Sequence, residues 1–176
     1  MLPLGTQLID FDLPNTTDGG SFSSTEITAN KPVLIMIICN HCPYVVHYHE
    51  ELKRLNREYS SEVSFLAISS NDVVNYPEDS PEKMKDLWDS LGFSFPYLYD
   101  ETQEVAKAYQ AECTPEFYLF YSNHKLVYRG RCDATSPKDN QQPDGADLRA
   151  ALGATLLQRL PNPDQFPSMG CNIKWK

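Results

Sequence analysis

The sequence predicts an α/β fold: a central mixed sheet with helices on both faces, behind an irregular N-terminal arm. Three observations carry this. Apolar runs of strand length alternate with stretches whose apolar residues recur every three or four positions, the mark of parallel strands crossed over by helices. Two more strand-like runs lie side by side late in the chain, joined by a short polar turn, so one edge of the sheet is antiparallel. No repeat or compositional break divides the 176 residues. The chain therefore reads as one domain, 1–176, with residues 1–32 as the arm and 161–176 as a tail.

Each element has its own warrant. The arm shows turn signals at Pro14-Asn15 and Asp18-Gly19-Gly20, with Phe22 and Ile27 as short edge elements. Val33 to Ile38 is a strand buried on both faces. Val45, Tyr48, Leu52, Leu55 and Tyr59 then form one face of a helix, and Glu50, Glu51, Lys53, Arg54 and Arg57 fall on the other. Val63 to Ser69 is a second buried strand. Ser80-Pro81 starts a helix, as cap and first residue, and Gly92 stops it. Pro96 to Tyr99 is a short strand, and Thr102 to Gln110 is helical. Phe117 to Tyr121 and Leu126 to Gly130 make a hairpin around Ser122-Asn123-His124-Lys125. Asp133 to Gly145 reads as an exposed polar loop, Leu148 to Leu160 as a last helix, and Pro161 to Lys176 as a Pro-punctuated tail.

Composition narrows the function. Lys plus Arg is 15 against 24 for Asp plus Glu, a net charge of −9 with no basic run. That disfavours nucleic acid and anionic membrane surfaces as partners. The longest apolar run, Val33 to Cys39, is far short of the roughly 20 residues a membrane helix needs. Met1 to Phe11 lacks the charged and apolar regions of a secretory signal, so a cytoplasmic location is expected. Five cysteines, an odd number in a mid-sized chain, favour redox chemistry or metal binding over a disulfide scaffold.

Cys39-Asn40-His41-Cys42 stands where a buried strand gives way to a helix. The unpaired N–H groups and partial positive charge there favour a thiolate, so the first cysteine is expected to have a lowered pKa. The spacing lets the second sulfur close a disulfide on the first. His41 adds stabilisation to the thiolate, and Pro43 fits the first helical turn. A zinc or copper(I) half-site is the competing reading, but no second cysteine or histidine pair completes it. Thr114-Pro115, just before the strand at Phe117, suits a cis peptide bond.

These residues resemble the thioredoxin superfamily, with Cys39 to Cys42 as its redox motif and Pro115 as its cis-proline. Gly5 to Phe11, Leu13-Pro14, Asp18-Gly19 and Lys31-Pro32-Val33 look like the arm of the alkyl-hydroperoxide-reductase/thiol-specific-antioxidant, or peroxiredoxin-like, branch. Cys39-Asn-His-Cys-Pro-Tyr-Val, Cys113-Thr-Pro-Glu-Phe and Gly170-Cys-Asn-Ile-Lys-Trp are similar to a peroxiredoxin-like subgroup. The resemblance implies a thioredoxin-like fold with Cys39 as nucleophile, the first and more exposed cysteine, and Cys42 as resolving thiol. Thr114 and Pro115 would lie across the sulfurs, with the Thr114 backbone pairing with an extended substrate.

Two departures qualify it. Peroxiredoxins place a threonine three residues before the reactive cysteine, and Met36 stands there, unable to donate a hydrogen bond to peroxide. Arg129 or Arg131 could still activate the thiolate, or be solvated strand residues. The buried acid of thioredoxin, six residues before the first cysteine, is Val33. The proton acceptor for Cys42 must be elsewhere, with Glu116 and His41 as candidates, unless Glu116 simply faces solvent.

The remaining groups leave alternatives open. Cys113 is a third redox thiol or a small buried residue, and Cys132 reads as a passive thiol. Cys171 either resolves an oxidised Cys39 from a mobile tail or packs with a tail docked by Ile173 and Trp175. His47 and His49 point apart and form no metal face. The expected activity is thiol–disulfide exchange at roughly −200 mV, using the Cys39–Cys42 disulfide with no other cofactor or metal. The partners are a protein or small-molecule disulfide and an external thiol reductant. Peroxide reduction is the alternative, and a copper(I) module through Cys39, Cys42 and a histidine the lesser one.

Overall fold

The computed structural model describes residues 1–28 and 30–176. Its elements, in order, are β1 (Asp12–Pro14), β2 (Ser21–Ser23), β3 (Val33–Ile37), α1 (Pro43–Tyr59), β4 (Ser64–Ser69), α2 (Pro81–Leu91), β5 (Tyr97–Tyr99), α3 (Glu104–Ala108), β6 (Cys113–Thr114), β7 (Glu116–Phe120), β8 (Leu126–Gly130), α4 (Ala146–Leu156) and β9 (Cys171–Asn172). The main sheet runs β5-β4-β3-β7-β8. β3 is parallel to β4 and β4 to β5, while β7 is antiparallel to β3 and β8 to β7. This is the mixed sheet that the alternating pattern predicts, and the fold is thioredoxin-like.

Strand periodicity sorts the core. Leu34 and Met36 of β3 face Leu52 and Leu55 of α1, Met84 and Trp88 of α2, and Leu148 and Leu152 of α4. Val33, Ile35 and Ile37 face Val105 of α3 and Tyr109 just after it, with Phe11, Leu13 and Ile27 of the arm. Burying Leu52 or Leu55 contributes about 2 kcal/mol each by the usual transfer scale. The arm is thus a working cover of the sheet: β1 and β2 pair as a hairpin, and Thr16 N donates to Tyr97 O at 3.0 Å. Phe22 falls in β2, whereas Ile27 is in no strand; it closes a short 3₁₀ turn and is buried.

Helix α2 forms as its caps dictate. Ser80 Oγ accepts from Lys83 N at 3.4 Å, and Gly92 takes the left-handed conformation at φ 71° that a helix end requires. Trp88 Nε1 donates to Phe95 O at 2.8 Å, locking the helix to the chain leading into β5.

Three expectations are corrected. Glu51 is buried beneath α4, because Arg54 and Arg149 pair with its two oxygens at 2.6 and 2.7 Å. Residues 133–145 do not form a wholly exposed loop. Buried Asp133 gathers them by accepting from Tyr48 Oη, Thr135 N, Asp144 N and Gly145 N at 2.7–2.9 Å. The last helix ends at Leu156, and Gln158 turns left-handed at φ 56°. Among the described residues, no helix is long and apolar enough to cross a membrane.

Candidate active site

Register builds the site. Ile37, the last residue of β3, lies opposite Glu116, the first of β7. The residues after β3 and before β7 therefore meet at one end of the sheet. Cys39 follows β3, Cys42 caps α1 with Pro43 at its first position, and Thr114–Pro115 is a cis peptide. Thr114 spans both sulfurs. Its Oγ1 is 3.3 Å from Cys39 Sγ, and its carbonyl oxygen accepts from Cys42 Sγ at 3.1 Å. Both cysteines are free thiols, and both are buried, Cys39 at 1% exposure and Cys42 at 0%. Exposure therefore does not set Cys39 apart from Cys42, as the expected roles had it.

The groups around Cys39 come from the loop after β4. Asp79, fully buried in the turn that precedes α2, accepts from Asn40 N at 2.7 Å and from Asn71 Nδ2 at 2.8 Å. His41 Nδ1 sits 2.7 Å from the same carboxylate, close enough for charge pairing but poorly aligned for a hydrogen bond. Tyr97 Oη donates to Asn40 Oδ1 at 3.1 Å, and Tyr76 stacks on His41 with ring centres 5.7 Å apart. Asp79 is the buried acid that no spacing from Cys39 discloses. Its turn begins with Pro77, and the capping Ser80 follows it, so the start of α2 fixes where its carboxylate points.

These neighbours set the charges. Cys42 is lowered to about 4, first by its hydrogen bond with Cys39, then by Cys171, Thr114 and the Val45 N–H, against burial. Cys39 is raised, by the hydrogen bond with Cys42, by burial and by the Asp79 anion, against the Thr114 hydroxyl. The two sulfurs titrate as one coupled pair, sharing a single proton between them. The hydrogen bonds around the pair place that proton on Cys42. With the proton on Cys42, its S–H donates to Thr114 O, and the Thr114 hydroxyl donates to a Cys39 thiolate.

The Redoxin family profile matches residues 3–147. The chain belongs to the Redoxin family. Its fold and cysteine chemistry are those of a thiol-based redox protein. This Redoxin chain is 51% identical to an uncharacterized conserved protein from Geobacillus kaustophilus, with a TM-score of 0.96 over 100% of this chain and 94% of that one. It is 40% identical to a hypothetical protein from Sinorhizobium meliloti, TM-score 0.96, over 100% and 96%. Peroxidoxin BcpB from Mycobacterium tuberculosis shares the fold at 18% identity and TM-score 0.66, over 90% and 99%. A search of curated proteins returns no match.

Within the Redoxin frame, the other expected residues sort by position. Cys113 lies in β6 beside the pair, but burial pushes its thiol up to about 12. Glu116 is buried rather than solvent-facing, and burial raises its pKa. Its Oε2 accepts from Glu112 N at 3.1 Å, so it braces the bend into the cis peptide and is not among the groups acting on either paired sulfur. Arg129 is engaged elsewhere: it donates to Leu2 O at 2.7 Å and to Gln165 Oε1 at 3.0 Å. Arg131 pairs with Asp147 at 2.6 Å. Neither arginine serves the thiolate. Met36 is a fully buried core residue of β3, and burial holds the Cys132 thiol well up.

Cys171 does reach the site. β9 pairs antiparallel with β6, setting Cys171 opposite Thr114. The Thr114 backbone, expected to pair with a substrate, is occupied by the chain's own tail. The tail is docked, as the packing alternative holds: Ile173 is buried and Lys174 N donates to Asn71 Oδ1 at 2.9 Å. For metal binding, Cys39 Sγ, His41 Nδ1 and an Asp79 oxygen all lie within 4.8 Å of one another. That mixed sulfur, nitrogen and oxygen set suits zinc or iron better than copper(I), which selects soft sulfur ligands.

Proposed function

We propose that this Redoxin protein is a thiol–disulfide oxidoreductase acting through Cys39 and Cys42. The observation that carries the reading is the single residue, Thr114, holding both sulfurs beside a cis proline. With the pair's proton on Cys42, the Cys39 thiolate attacks one sulfur of a substrate disulfide. A mixed disulfide forms and the first substrate thiolate leaves. Cys42, giving up its proton, then attacks Cys39 Sγ and expels the second. The substrate gains two electrons, and the protein keeps a Cys39–Cys42 disulfide, which an external thiol reductant resets. Asp79 and His41, both within 4.8 Å of Cys39 Sγ, are the titratable groups for moving the proton; His41 was one of the two candidates the sequence offered, and Asp79 takes the place of the other, Glu116.

Peroxide reduction is the second reading, supported by the Redoxin match over the arm and sheet. Against it stands Met36, which offers no donor to a peroxide oxygen. The deciding experiment follows thiol loss from the reduced protein with hydrogen peroxide and with a model disulfide in parallel, beside Cys39→Ser. Fast, Cys39-dependent loss with the disulfide alone is expected. Fast loss with peroxide would replace this reading with the second. Loss no faster than that of free cysteine with either reagent would end both.

A further inference from the structure

Four of the five cysteines converge on one end of the sheet, and the reaction above uses two. Cys171 lies beyond the Redoxin match, which ends at residue 147. It is placed by β9, and three observations fix it there. Its partner in the register, Thr114, is the residue whose carbonyl holds Cys42 Sγ at 3.1 Å. Gly170 approaches Thr114 so closely that a Cβ would fall 2.0 Å from the carbonyl oxygen, so this tight pairing needs glycine. The rest of the tail is tied to the Asp79 cluster: Asn71 bonds Lys174 N with its oxygen and Asp79 with its nitrogen, and Lys174 Nζ lies 5.4 Å from the centre of the Tyr76 ring that stacks on His41.

We propose that Cys171 is a third redox thiol of this site, which exchanges with the Cys39–Cys42 disulfide to give a Cys42–Cys171 disulfide. The proposal rests on the reading of Cys39 and Cys42 as a redox pair. In the step, Cys171 loses its proton and its sulfur attacks Cys42 Sγ. The Cys42–Cys171 bond forms, the Cys39–Cys42 bond breaks, and Cys39 leaves as a thiolate. One disulfide replaces another, so no oxidant or reductant is consumed. The partner is Cys42, not the Cys39 that a resolving tail cysteine was expected to serve, because Cys171 lies opposite Thr114, whose carbonyl holds Cys42 Sγ.

The charges agree with this order of events. In the reduced protein Cys171 is raised to about 11, by burial first and then by its interactions with Cys42, with Lys174 opposing. Once Cys42 joins a disulfide those interactions are gone, and that part of the barrier to a Cys171 thiolate goes with them. The product staples the tail to the site and leaves Cys39 free for a second attack. The chain would then hold two oxidising equivalents in the tail while its nucleophile is regenerated.

The test oxidises the full-length protein with one equivalent of diamide, quenches in acid, alkylates free thiols and maps disulfides by mass spectrometry. In the Cys39→Ser variant the main product is expected to be Cys42–Cys171. In the unaltered protein Cys39–Cys42 appears first, and Cys42–Cys171 grows from it at a rate independent of protein concentration. If Cys39–Cys42 forms but Cys171 stays alkylatable throughout, the third-thiol proposal fails and the two-cysteine reading stands. If no Cys39–Cys42 disulfide forms, both fail. The time course of the unaltered protein decides the matter even if Cys39→Ser does not fold.

Discussion

At the scale of single residues, the chemistry turns on one carboxylate. Asp79 is a buried anion beside Cys39, and its charge opposes a thiolate there. Replacing it with asparagine keeps an oxygen to accept from Asn40 N and removes the charge. The Asp79→Asn variant should therefore alkylate at Cys39 faster than the unaltered protein at pH 7, by about tenfold for each pKa unit released. Site-resolved iodoacetamide labelling checks this, and an unchanged or slower Cys39 rate would show that Asp79 does not control the sulfur. The pair itself was legible, because three-residue spacing at a strand-to-helix junction is a local pattern. Asp79 was not, since it lies forty positions downstream of Cys39 in a turn whose own signal is only the Ser80-Pro81 helix start. Glu116, the acid that sequence proximity favoured, proved to be a backbone brace. Nearness along the chain said nothing of which way a strand residue faces.

At the scale of elements, β6 and β9 are the pieces that the sequence hid. Each is two residues long, too short to show an alternating pattern. Together they lay the tail along Thr114, the residue that contacts both paired sulfurs. Gly170→Ala tests this directly. A Cβ 2.0 Å from Thr114 O cannot be accommodated without displacing β9. The variant should label faster at Cys39 and Cys42 than the unaltered protein, with far-ultraviolet circular dichroism unchanged because the main sheet does not depend on β9. A labelling rate equal to that of the unaltered protein would mean that the tail does not govern access. The longer elements were legible for the converse reason. β3, α1 and α2 each carry a full period of apolar residues, and α2 carries both of its end signals. Where such an element departed from expectation, as at Glu51, a partner from a distant helix overrode the local pattern.

At the scale of the whole molecule, the alternation of strands and helices was enough to specify a mixed sheet with an antiparallel hairpin at one edge, because parallel crossovers and a closing hairpin leave few topologies. The arm and tail were not specified, since their burial depends on surfaces that exist only once the sheet has formed. Folding and titration are linked at the same scale. Cys42 is lowered from 9.0 to about 4 in the folded reduced protein. Between those values the unfolded chain holds a proton there that the folded chain does not, so stability rises with pH. Cys39 is raised above 9.0, and Cys171 from 9.0 to about 11. Above pH 9 the unfolded chain releases protons that the folded chain keeps, and stability falls again. Groups common to both redox forms largely cancel when the reduced protein is compared with one holding the Cys39–Cys42 disulfide. The difference in unfolding free energy, reduced minus oxidised, should climb from about pH 4, crest near pH 9 and decline beyond it. Urea unfolding of both forms across that range measures the curve. A flat difference would mean that no thiolate is stabilised by folding, and would remove the electrostatic basis for assigning one negative charge to the pair.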